Sequence, residues 1–255
     1  MRFALPLITC KDVSVTNPLV LLPGLLCDNA VWSEQRRALG KQRPCVVPDY
    51  DLRSSITSMA EKVLAVVPDG RFALAGHSMG GRVALEVVRI APERVERLAL
   101  LDTGFQSIAE GEAGQKECEA RGELLSLAQE KGMWAMGESW APGMVHPKAV
   151  DSRVFADILS MIERSTPERF EAQISALVNR PDATVQLRQI NVPTMIICGR
   201  QDAWSPLARH EAMCETIPGA RLQVIEDSGH MTTMEQPEAV SAALGEWLAL
   251  TVQGA

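Results

Sequence analysis

The sequence predicts an α/β domain: a doubly wound, mostly parallel sheet with a helical segment inserted into it. Three observations carry this. Six short apolar runs each stop at Gly, Pro or Asp; helix-like segments lie between them; and residues 105–185 hold helical periodicity with no strand signal. Continuous apolar runs of this length suit strands buried on both faces, as in a parallel sheet. Strands that alternate with helices point to crossover connections and helices on both faces.

In chain order, the strand candidates are PLVLLPG (18–24), RPCVVPD (43–49), RFALAGHS (71–78), RLALLDTG (97–104), PTMIICGRQD (193–202) and RLQVIEDSGH (221–230). Helices are expected over 55–67, with Ile56, Met59, Val63 and Val66 on one stripe, over 80–90, and over 236–252 with Pro237 in the first turn. Within the insertion the periodic segments are 112–131, 148–164 and 167–180, the last started by Thr166 as cap and Pro167 in first position. Residues 1–104 and 186–255 thus form the expected core, and 105–185 an expected helical cap.

Composition narrows the function classes. The chain has 255 residues and a formal net charge of −7, which argues against a nucleic-acid partner, since that needs a basic face. No stretch reaches 18 uninterrupted apolar residues, so no membrane helix is expected. The opening MRFALPLITCKD is broken by Pro6, Lys11 and Asp12 and does not read as a secretory signal, so a cytoplasmic location is expected. Cys10, Cys27, Cys45, Cys118, Cys198 and Cys214 are widely spaced, which suits buried thiols better than a metal site or a disulfide framework.

One strand–turn–helix carries the chemistry. In FALA-GHS-MGGRVALEVV, Gly76 and Gly80 remove side chains where strand and helix cross, and the tight turn presents Ser78 outward as a candidate nucleophile. A serine hydroxyl needs a base to take its proton. Of His77, His146, His210 and His230, only His230 follows a strand, in the loop DSGHM, where sheet enzymes collect their groups. The carboxylate that would orient the imidazole is Asp202, at the end of PTMIICGRQD, with Asp102 of LLDTG as its rival. Donors for a developing oxyanion are expected from the backbone N–H groups of Met79 and of Leu25, which follows Pro23-Gly24 and shares its loop with Cys27 and Asp28.

The pieces LVLLPGLL, GHSMGGRVAL, IICGRQDAWSP and DSGHMTTMEQP together resemble the α/β-hydrolase superfamily, closest in look to small bacterial capped esterases. The resemblance spans nearly the whole chain. It implies strand order 1-2-4-3-5-6-7-8, a helical cap after strand 6, the order Ser, Asp, His for the triad, and no cofactor or metal. Two departures stand out. Pro23-Gly24 replaces the His-Gly common in the oxyanion loop, and only about 17 residues precede the first clear strand, so the usual leading hairpin is expected to be short or missing. Ser78 argues against the haloalkane dehalogenases and epoxide hydrolases, which carry Asp there.

The expected activity is cleavage of carboxylic esters of small to medium, largely apolar substrates through an acyl-enzyme on Ser78. A lactonase, a thioesterase and a carbon–carbon bond hydrolase remain alternatives on the same residues, and a non-catalytic ligand-binding protein is the alternative of another class. The expected partner is the small-molecule ester, with monomer and homodimer both open. Met133, Trp134, Trp140 and Met144 of the insertion, with Trp204 and Met231 beside the triad, are the candidate pocket residues. Arg82 would either reach an anionic substrate or pair within the fold.

Overall fold

The computed structural model describes residues 17–251. The expected shortening of the leading hairpin, and Cys10, lie outside them. β1 (Leu19–Leu22) is followed by α1 (Ser33–Leu39), β2 (Cys45–Val46) and α2 (Ile56–Val66). β3 (Phe72–His77), α3 (Met79–Ile90) and β4 (Val95–Leu101) come next. Four helices then intervene: α4 (Glu112–Trp140), α5 (Arg153–Glu163), α6 (Pro167–Val178) and α7 (Thr184–Leu187). β5 (Thr194–Gly199), α8 (Leu207–Thr216), β6 (Arg221–Ile225), α9 (Thr232–Glu235) and α10 (Pro237–Ala249) complete the described chain.

All six strands pair in parallel, in the order β2-β1-β3-β4-β5-β6. This is the order the resemblance implies for its last six strands. The apolar runs explain the interior: every residue of β1, β3, β4 and β5 is buried. From β1 the chain steps to β2 on one side, and from β3 to β4 on the other. Right-handed crossovers therefore put α1 and α3 on opposite faces of the sheet. α10 packs with α1, and α2 packs with α3. The order reverses between β1 and β3, so a crevice opens outside their carboxyl ends, where ligands of open α/β sheets bind.

Local chemistry sets three of the helix starts. Ser55 caps α2 at Ser58 N (3.1 Å), Ser152 caps α5 at Phe155 N (3.3 Å), and Thr166 caps α6 at Arg169 N (3.3 Å) with Pro167 in first position. Some expectations are corrected. Val66 is 45% exposed, whereas Ile56, Met59 and Val63 are buried together with Ala60. The 43–49 strand shrinks to two residues. The segment expected over 112–131 ends at a kink, because Gly132 has φ 86°, but helix resumes and runs to Trp140. The segment expected from 148 starts only at Arg153, after a short 3₁₀ turn over Pro147–Ala149. Of the thiols, Cys27 and Cys198 are buried, while Cys45, Cys118 and Cys214 are only half-buried. No helix among the described residues is long and apolar enough to cross a membrane.

Candidate active site

Ser78 leaves β3 with φ 54° and ψ −118°, a region that non-glycine residues rarely enter. Such strain persists only where its surroundings enforce it. Here they do. A methyl group at Gly76 would lie 2.7 Å from Gly81 N, and one at Gly81 would lie 2.6 Å from the Thr103 side chain. Thr103 in turn donates its hydroxyl to Ser78 O at 2.6 Å. The turn is locked between β4 and the first residues of α3.

The three side chains chosen from the sequence meet in one hydrogen-bonded chain. The Ser78 hydroxyl donates to His230 Nε2 at 2.8 Å, and His230 Nδ1–H donates to Asp202 Oδ2 at 2.8 Å. Asp202 Oδ1 accepts from the N–H groups of Trp204 (2.9 Å) and Ser205 (2.8 Å). Burial pushes the Asp202 carboxyl up, but His230 and those N–H groups outweigh it and hold the carboxyl below its ordinary range. The rival, Asp102, makes no bond to His230. Its Oδ1 accepts from Gly199 N (3.0 Å) and its Oδ2 from Thr232 Oγ1–H. Burial first, and then the Asp202 charge, hold Asp102 well above the carboxylate range.

Backbone contacts fix the His230 loop. His230 N–H donates to Met144 O, and Glu235 Oε2 accepts from Gly229 N (3.0 Å) and Met231 N (3.2 Å). Glu235 was not singled out in the sequence; its acceptor role follows from α9 turning back under the loop. His77 donates its Nε2–H to His230 O at 2.8 Å. Burial, then the neighbouring His230, push His77 down to about 4, so it stays neutral near pH 7.

His210 has a supporting place that the sequence did not reveal. Its Nε2 accepts the Thr103 N–H at 3.0 Å, a bond that needs the neutral ring. Burial pushes its pKa down to about 4, below the unfolded value near 6.5. The unfolded state therefore takes up the proton first. The stability that His210 contributes is full above pH 6.5 and is lost as pH falls towards 4. Between pH 7 and 4, urea unfolding is expected to show wild type losing about 3 kcal/mol more than His210→Leu. An equal loss in both would remove this account of His210.

Ser78 and His230 open on a cavity of about 460 Å³, within the usual size for small-ligand sites. Trp140, Met144 and Trp204 line it as expected. The Trp204 ring lies tilted at 5.3 Å from that of His230 and 5.0 Å from that of Trp140, and Trp140 lies 6.1 Å from Phe170. Met133, Trp134 and Met231 do not line it. Met133 and Met231 are buried in the packed interior, and Trp134 is 38% exposed on the outer side of α4. Four arginines and Glu117 share the otherwise apolar and aromatic wall.

Leu25 and Met79 both border the cavity. Among the described residues neither backbone N–H has an acceptor within the protein. Leu25 belongs to a loop bent by the positive φ (58°) of Leu26, whose N–H donates to the buried Gln173 Oε1 of α6 at 2.8 Å. Cys27 also borders the cavity, but burial pushes its thiol up to about 12, so it is no nucleophile near pH 7. Asp102, Cys198 and Asp202 bring three metal-type donor atoms within 4.8 Å. They do not suit a cation: burial and the Asp202 charge disfavour a charged Asp102, burial raises the Cys198 thiol, and Asp202 is committed to His230.

The sequence model described as "Alpha/beta hydrolase family" matches residues 19–243. A thermophilic esterase from Thermogutta terrifontis, solved with malate bound, superposes with a TM-score of 0.82 at 30% identity, covering 91% of this chain and 89% of that one. The pimeloyl-[acyl-carrier protein] methyl ester esterase of Nitrosomonas europaea is 27% identical over 239 residues, 86% of this chain and 91% of its own. The polyketide synthase ThaQ of Burkholderia thailandensis is 25% identical over 92% of this chain, which spans only 12% of that protein's length.

Proposed function

Because the chain belongs to the alpha/beta hydrolase family and is a hydrolase of that family, we propose that it is a serine esterase, cleaving carboxylic esters through an acyl-enzyme on Ser78. The observation that carries this reading is the unbroken chain from the Ser78 hydroxyl through His230 to Asp202, both links 2.8 Å, opening on the cavity. His230 Nε2 accepts the Ser78 proton as Oγ attacks the ester carbonyl. Asp202 holds Nδ1 protonated and stabilises the imidazolium that forms. The Leu25 and Met79 N–H groups receive the negative charge on the carbonyl oxygen. His230 then returns the proton to the leaving alcohol, and water, deprotonated by the same imidazole, releases the acid.

On this reading residues 105–185 are a cap over the core of 17–104 and 186–251. The cap contributes to function by closing the cavity with Trp140, Met144 and Phe170 and by bracing the Leu25 loop through Gln173. The test is covalent capture. A fluorophosphonate should add once to wild type, with the mass shift on the peptide holding Ser78, and p-nitrophenyl acetate should give a one-equivalent burst. Ser78→Ala should show neither. Turnover that survives in Ser78→Ala, with no adduct in wild type, would overturn the acyl-enzyme.

A further inference from the structure

The cavity carries charge that ester cleavage itself does not use. Arg82 of α3, Arg121 of α4, Arg180 beyond α6 and Arg209 of α8 all line it, against one glutamate, Glu117. Glu117 is already committed. It accepts from Arg121 at 2.9 Å and from the two terminal nitrogens of Arg180 at 2.7 and 2.8 Å. Arg82 and Arg209 have no carboxylate partner among the described residues. Arg82 donates to Gln106 O at 2.7 Å, and Arg209 only distantly to Trp204 O at 3.3 Å.

These two guanidinium groups converge. The point that a methyl group on Gly104 would occupy lies 2.7 Å from Arg82 Nη2 and 3.3 Å from Arg209 Nη1. Glycine at 104 lets both guanidinium groups close on its backbone, and the notch they form faces the cavity. Two like charges drawn together in a half-buried cleft repel, and each has lost part of its hydration. Burial, then Arg180 and Arg209, push Arg82 down to about 9, so it remains a cation near pH 7, acted on by Glu117 and Asp182 but bonded to neither. The notch sits close to the reacting atoms. Arg82 is four residues beyond Ser78 in a helix that begins at Met79, so one helical turn separates them. The positive wall is local, since the chain as a whole carries −7.

We propose that Arg82 and Arg209 form an anion subsite, and that the esters this site takes carry a free carboxylate as well as the scissile bond. This rests on the esterase reading above and names its substrate class. A carboxylate in the notch would receive the forked N–H groups of both arginines, the pairing that guanidinium geometry favours. Its ester carbonyl would then reach Ser78 from a fixed anchor. The carboxylate can belong to the acyl part, as in a half-ester of a dicarboxylic acid, or to the alcohol part, as in an acylated hydroxy acid.

The test compares charged and neutral esters of matched shape. Monomethyl glutarate is set against dimethyl glutarate for the acyl side, and O-acetylglycolate against its methyl ester for the alcohol side. At least one charged ester is expected to exceed its neutral partner about tenfold or more in kcat/KM, chiefly through KM. The member that does so locates the carboxylate. Arg82→Met and Arg209→Met should each bring that ratio towards one, and Arg82→Lys should restore part of it. A second readout needs no turnover. Glutarate should change the tryptophan fluorescence of Ser78→Ala, with a Kd about tenfold weaker once Arg82→Met is added. Neutral esters cleaved as well as charged ones, with no Arg-dependent glutarate binding, would overturn the subsite and leave the esterase standing. Arg-dependent glutarate binding in a protein that cleaves none of these esters would do the reverse.

Discussion

Asp202→Asn is expected to lower kcat by about ten-thousandfold, while Asp102→Asn keeps it within a few-fold of wild type. The two carboxylates end neighbouring strands, yet their partners differ. Asp202 Oδ1 accepts two backbone N–H groups, from Trp204 and Ser205. An asparagine must keep its carbonyl oxygen there, so its amide nitrogen would face His230 Nδ1. That reverses the imidazole tautomer and leaves Nε2 protonated, unable to take the Ser78 proton. At Asp102 burial and the nearby Asp202 charge already favour the neutral carboxyl. Asparagine there keeps the bond from Gly199 N and can donate to the Thr232 hydroxyl, which is free to rotate. Steady-state kinetics on both variants, with thermal unfolding to show that each is folded, decide the matter. A dead Asp102→Asn beside an active Asp202→Asn would move the orienting role to Asp102.

Gly80→Ala is expected to destabilise the protein by about 3 kcal/mol or more and to lower its Tm by roughly 10 °C. The added methyl would lie closest to Leu22 O, at the end of β1, and 2.7 Å from Pro23 O, in the loop that leads to Leu25; both are backbone atoms. Backbone cannot yield as a side-chain tip can, so α3 must move off β1. That shift also parts the N–H groups of Leu25 and Met79, so activity should fall further than stability alone requires. Gly245→Ala is the contrast. In α10 the new methyl meets only Leu39 Cδ2 at 3.9 Å, and relief of helical glycine entropy should raise stability by about 0.5–1 kcal/mol. Calorimetry on the pair tests whether opposite signs follow from one chemical change.

Features written in local runs of residues were legible in the sequence. The apolar runs of β1, β3, β4 and β5 needed burial on both faces, which a parallel sheet supplies, and the loops after the carboxyl ends of β3, β5 and β6 bring Ser78, Asp202 and His230 within hydrogen-bond reach. The cavity wall was not legible. Arg82, Arg121, Arg180 and Arg209 come from separate elements with no shared motif, and only Arg82 stood out, through its place after Ser78. Met133 and Trp134 show the same limit. Helical periodicity names a face but not the neighbour that covers it, and the break at Gly132 resets the phase of α4. Asp102 and Asp202 could be told apart only by which one meets His230.

The long excursion between β4 and β5 also bears on how the molecule reaches its native state. These strands pair directly, Leu98 with Thr194 through Leu101 with Ile197, although residues 102–193 separate them in the chain. Closing so large a loop is slow, because its entropy is lost before any contact repays it. β1 to β4 can assemble early, and α4 to α6 can form from near neighbours, but β5 and β6 must dock last during synthesis. Asp202 and His230 follow those two strands, 28 residues apart, while His230 lies 152 residues from Ser78. The serine can therefore be seated in its turn well before its base arrives, and competence for chemistry becomes a property of the finished fold alone.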